Sequence, residues 1–90
     1  MEESERRQRL VEEERKKIRR LRFLVDLTTN VLYQDATLSL QEARQLIGNT
    51  EKAVLRLFPG KERTFEIVLL SRFERILYER WGVGLDSRVQ

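Results

Sequence analysis

The densest chemical signal in the chain is Arg15 to Arg22, RKKIRRLR, with six basic residues in eight. Side chains of this type neutralise phosphates. At helical spacing Arg15, Arg19 and Arg22 fall along one side, with Lys16 and Arg20 beside them. Two features oppose a phosphate-binding role. Glu12, Glu13 and Glu14 immediately precede the run and would repel a nucleic-acid backbone, and no aromatic stands inside the run to stack on a base. No helix-turn-helix, RNA-binding or zinc-finger signature accompanies it. The sequence therefore favours a solvated charged face. Nucleic-acid binding through Arg15, Lys16, Arg19, Arg20 and Arg22 is the alternative.

A second group is Tyr78, Arg80 and Trp81 in the stretch LYERWG. These residue types are enriched where proteins bind one another. They can anchor a second subunit, or Trp81 can close the bottom of its own core. Arg72, Glu74 and Arg75 interrupt the same stretch. Glu74 falls between Ile67 and Tyr78, where burial would demand a cationic partner, so a rim position is expected. Asp26 and Asn30, four apart, are expected at the surface.

Nothing else assembles into a catalytic group. The chain has no histidine and no cysteine. That removes the commonest general base, a thiolate zinc site and any disulfide. There is no phosphate-cradling glycine loop, GxSxG, HExxH or DxDxDG motif. The carboxylates are scattered among arginines, which suits ion pairing better than a metal cluster. A non-enzymatic protein without a cofactor is expected. No apolar run approaches the roughly 18 residues of a membrane-spanning helix. The opening MEESERRQRL lacks the apolar centre of a signal peptide. A cytoplasmic protein with no membrane contact is the expectation.

The elements that must position these groups are helical. Over residues 5–34, Val11, Glu14, Ile18, Leu21, Val25, Thr28 and Leu32 recur in alternating steps of four and three. This is the seam of a coiled-coil-like helix with two polar interruptions. Its first part carries acidic-before-basic pairs four apart: Glu2–Arg6, Glu3–Arg7, Glu5–Arg9, Glu12–Lys16 and Glu13–Lys17. Each such pair supports a solvated helix by about 0.2–0.5 kcal/mol. Residues 1–22 hold nine basic and six acidic side chains, while residues 23–90 hold nine of each, so the net charge of +3 lies entirely on the first segment.

From Phe23 to Leu32, FLVDLTTNVL, apolar residues spread around most of the circumference. Phe23 and Leu27 point away from the seam, and Leu24 and Val31 fill the arc between. Asp26, Thr29, Asn30 and Tyr33 leave only a narrow polar strip. A helix apolar nearly all round must be buried, so this segment is expected to be the central post of a bundle.

Ser39 to Glu42 has the pattern of a capping box opening a second helix over about 40–58. Its apolar face is Ala43, Leu46, Ile47, Thr50, Ala53, Val54, Leu57 and Phe58, with Gly48 on the outside. Pro59-Gly60 turns the chain. A third helix over 62–81 presents Phe65, Leu69, Leu70, Phe73, Ile76 and Leu77, and Ile67, Tyr78 and Trp81 widen that face. Gly82 and Gly84 end it. The expected fold is therefore all-α. It is a three-helix bundle over 23–82, preceded by a charged amphipathic arm over 1–22 that continues helix one, and followed by a polar tail over 83–90.

A bundle of about 60 residues with no disulfide or metal is marginal alone, and oligomerisation is the usual remedy. Two surfaces offer it: the Val11, Ile18 and Leu21 stripe, and the surplus face of Ile67, Tyr78 and Trp81. A homodimer built on these helix faces is expected, acting as a protein–protein interaction or regulatory module, with membership of a larger protein complex as a further partner class.

Overall fold

The computed structural model describes residues 2–83. The expected tail lies, from residue 84 onward, outside the described residues. The fold is all-α with three helices, and no strand occurs among the described residues.

Helix α1 runs Glu2–Gln34, 33 residues, a length of about 50 Å at the α-helical rise. Glu2, Glu3 and Glu5 lie in its first turn, where acidic groups oppose the positive end of the helix dipole. At the other end the Asp35 amide still donates to the Val31 carbonyl at 3.1 Å. There the chain turns, because Asp35 Oδ1 accepts from both the amide and the hydroxyl of Thr37, at 2.9 and 2.6 Å. Those two donors hold the Asp35 carboxyl below its ordinary range.

Helix α2 runs Leu40–Leu57. The capping box is complete: Ser39 Oγ accepts from the Glu42 amide at 3.1 Å, and Glu42 Oε1 accepts from the Ser39 amide at 2.9 Å. Phe58 donates its amide to Val54 and the helix stops before Pro59. Gly60 takes φ +81°, a left-handed turn that a side chain would resist. The third helix, α3, covers 62–81. It closes at Gly82, which has φ +71° and donates to the Tyr78 carbonyl at 2.9 Å.

Each helix touches both others. They enclose Val25 and Leu32 of α1, Ala43, Ile47 and Val54 of α2, and Phe65, Phe73, Ile76 and Leu77 of α3. Leu32, Phe73 and Leu77 are wholly shielded from solvent. Burying one such side chain stabilises the fold by about 1.5–3 kcal/mol. Gly48 stands on α2 where an added Cβ would meet nothing within 4 Å, so no close approach explains it.

The central post is only half as described by the sequence pattern. Val25, Thr28 and Leu32 are buried, but Phe23 is 64% exposed and Leu27 49% exposed. The seam alone faces α2 and α3. Two neighbours cover one side of a helix, and the side opposite the seam has no third neighbour among the described residues.

The arm is likewise solvated. Residues 2–20 are exposed apart from half-buried Lys17. Among the described residues, none of the expected pairs four apart is formed. The arm's ion pair among the described residues joins Lys17 Nζ to Glu14 Oε1, three apart, at 3.9 Å. On exposed side chains it contributes little. The protruding arm makes the molecule 57 Å long and 26 Å across, with a radius of gyration of 16.2 Å. A compact chain of this length would have a radius near 12 Å.

One local feature has no counterpart in the sequence expectation. Helix α3 opens with an α-helical turn, Glu62–Phe65, then passes through a π turn, Glu66–Leu70, before resuming as α-helix over Ser71–Trp81. The π turn takes up one extra residue. Phe65 and Phe73 are eight apart, or about 2.2 α-turns, so a regular helix would set them roughly 80° out of line. Absorbing one residue leaves about 1.9 turns and brings both rings into the core, where they are 3% and 0% exposed.

Candidate interaction surface

Helix α2 ends at Leu57 while α1 continues as the arm, so the α1 seam loses its cover near Leu21. At that point the chain leaves an apolar groove of about 280 Å³. Leu21 forms one wall, Val54 and Phe58 the end of α2, and Phe65, Val68 and Leu69 the start of α3. Lys61 and Thr64 are its polar neighbours. Val68 is 55% exposed, an aliphatic side chain held outward by the π turn. Ser71 Oγ donates back to the Ile67 carbonyl at 2.8 Å within that widened turn. Beyond the groove the seam runs on along the arm through Ile18, 41% exposed, and Val11, 43% exposed.

The six residues expected at an interface divide into three places. Val11 and Ile18 lie bare on the arm, and Leu21 is half-buried where the arm meets the groove. Ile67 and Tyr78 project from α3 into solvent. Trp81 packs instead against its own core, and the Arg80 guanidinium lies over its ring at 4.4 Å from the centroid.

Arg80 also donates from Nη1 to the Leu32 carbonyl. The last turn of α1 has no basic residue of its own. Arg80 supplies the cation that the negative end of that helix favours. Beside it Tyr33 donates its phenol proton to Glu79 Oε2 at 2.9 Å. That bond, with the Glu79 charge behind it, pushes the Tyr33 phenol above its ordinary value. The LYERW corner therefore fastens the end of α1 to the end of α3, and within it only Tyr78 is left fully available to a partner.

Arg15, Lys16, Arg19, Arg20 and Arg22 are all exposed, as are Glu12, Glu13 and Glu14 before them. The structure adds a neighbour that the sequence pattern had assigned to the core. Phe23 shares a shallow surface concavity with Lys16, Lys17, Arg19, Arg20 and Leu57. An aromatic face does stand beside the basic run. Asp26, Asn30, Arg72, Glu74 and Arg75 are exposed, and no hydrogen bond joins Asp26 to Asn30 among the described residues.

Sequence reasoning missed the groove itself. Phe58 was legible as the end of the α2 face, but Val68 carried no signal, because its outward placement depends on the π turn. Phe23 and Leu27 did carry one: both lie nearly opposite the seam, where two neighbouring helices cannot reach them. Among the described residues, no helix is long and apolar enough to cross a membrane. No group of three or more acidic, histidine or cysteine side chains is placed there to hold a metal ion. No family model matches the chain, and neither a curated protein nor a solved structure does.

Proposed function

We propose that this protein is a non-enzymatic helical interaction module that self-associates through its arm. The observation that carries this reading is one exposed apolar track, broken at Glu14. It runs from Val11 and Ile18 on the arm through Leu21 into the groove of Phe58, Phe65 and Val68. A small core ordinarily covers such surface, and here it lies open along the part of α1 that α2 and α3 do not reach among the described residues. Docking of helices into apolar grooves is a recurrent mode of association. Sedimentation equilibrium at micromolar concentration tests the reading. A dimer is expected, and a well-folded monomer with the arm intact overturns it.

A second reading is favoured by one observation, the exposure of Phe23 beside Lys16, Arg19 and Arg20. A basic face with an aromatic edge suits single-stranded nucleic acid. Binding to RNA and to mixed-sequence DNA should then weaken steeply between low and moderate salt. Reversing the charge of Arg19 and Arg20 should abolish it. Absence of binding at low salt removes this reading.

A further inference from the structure

We infer that the open track on the arm takes one helix of another protein, amphipathic and acidic along its two flanks. This rests on the reading above that the track is the interaction surface. It adds a partner that competes there with a second copy of the chain.

The charge that selects the partner lies beside the track. At helical spacing Val11, Glu14, Ile18 and Leu21 make the track itself. Gln8, Arg15 and Arg22 border it on one side, and Glu3, Leu10 and Lys17 on the other. Arg7 stands within it, one turn before Val11. The arm's remaining acids do not reach the borders. Glu2, Glu5, Glu12 and Glu13 fall on the far side, and Glu14 pairs with Lys17. Arg7, Arg15 and Arg22 are exposed, and among the described residues none of them joins an ion pair. From residue 4 to residue 22 the borders therefore hold bases and no acid. Charges at such bordering positions set which helix a helix pairs with.

A second copy matches the apolar track and mismatches its borders. In a parallel pair Lys17 of one copy meets Arg22 of the other. In an antiparallel pair the border of Arg15 and Arg22 faces itself. Helices in contact lie about 8–10 Å apart, close to the screening length of about 8 Å at physiological salt, so like charges oppose each other across either contact. A helix with acids at its flanks meets Arg15, Lys17 and Arg22 with opposite charge instead. Such a helix lies along the arm from Arg7 to Leu21, a span of about 21 Å. It ends there, because α2 and α3 already bury Val25 and Thr28. At that end the groove of Phe58 and Val68 is open to its last apolar side chain, with the exposed Lys61 among the lining residues.

The test uses the full chain and a fluorescent three-heptad peptide with leucine at its inner positions and glutamate at its flanking ones. A second peptide carries lysine in place of each glutamate. Anisotropy titration should show the glutamate peptide binding about tenfold tighter than the lysine peptide, with the difference shrinking as salt rises. Two variants change the charge equally at exposed arm positions. Arg15→Glu alters the border of the track and should weaken the glutamate peptide severalfold while strengthening the lysine peptide. Arg9→Glu lies on the far side and should change neither. Equal binding of the two peptides, equal effects of the two variants, or no binding overturns the inference. Sedimentation equilibrium with and without excess glutamate peptide separates it from self-association. A chain that is monomeric alone yet binds the peptide overturns self-association and supports the acidic partner. A dimer that the peptide does not convert to a one-to-one complex leaves self-association standing and overturns the acidic partner.

Discussion

Thr28 and Thr50 meet across α1 and α2 with their hydroxyl oxygens 2.6 Å apart, at 3% and 5% exposure. Thr50 has one proton and directs it to the Leu46 carbonyl at 2.9 Å. Thr28 must therefore be the donor to Thr50. This makes the pair asymmetric. Thr50→Val strips a buried hydroxyl of its acceptor and should cost about 1–3 kcal/mol. Thr28→Val leaves Thr50 still bonded to Leu46 and should cost about 1 kcal/mol or less. The double variant should cost clearly less than the sum of the two. Urea midpoints of the four proteins measure the coupling, and additivity within about 0.5 kcal/mol would show that the bond joins nothing. Each threonine is legible in the sequence as a polar break in an apolar face. Their partnership is not, because it depends on how two helices settle against each other to bring together residues 22 apart in the chain.

At the scale of elements, most of the architecture was legible because each signal is local. The capping box at Ser39 and Glu42, the turn at Pro59-Gly60 and the close at Gly82 all sit where the residue types require them. What escaped is the π turn, and its trace was present. Drawn on one regular helix, the third apolar face is too wide, spreading from Phe65 through Leu70 to Trp81. That width is the signature of a face that shifts partway along. The π turn reconciles its two halves and leaves Ile67 and Val68 outside. If it holds one surplus residue, deleting Val68 should restore a plain α-helix with Phe65 and Phe73 still in line. The stability change should then stay within about 1 kcal/mol, the range of an exposed-site substitution or slightly more. If the helix were regular, the same deletion would swing Phe65 through about 100° and out of the core. That would resemble a phenylalanine truncation, costing about 3–5 kcal/mol. Chemical denaturation of the deletion variant separates the two.

Taken whole, the molecule is a short bundle with a long lever, and the two parts should differ in stability as they differ in cover. Val25, Thr28 and Leu32 are closed in by α2 and α3, whereas the arm before Leu21 touches almost nothing of its own chain. Most helical stability in proteins comes from tertiary packing, and the exposed arm has little of it. The arm's ion pair at exposed Glu14 and Lys17 does not change that. Amide exchange in dilute solution should therefore show residues 25–32 opening only with global unfolding, while residues 5–17 open at little cost. Self-association links the arm's stability to concentration. At a hundredfold excess of protein over the dissociation constant, a docked arm gains about 2.7 kcal/mol, and its amides should exchange roughly a hundred times more slowly. The gain should centre on residues 10–18, the span bearing Leu10, Val11 and Ile18, and leave the bundle's rates nearly fixed. Arm protection that does not change with concentration would mean that no partner copy ever covers it, and Leu10 and Ile18 would then be solvated apolar residues with no structural role.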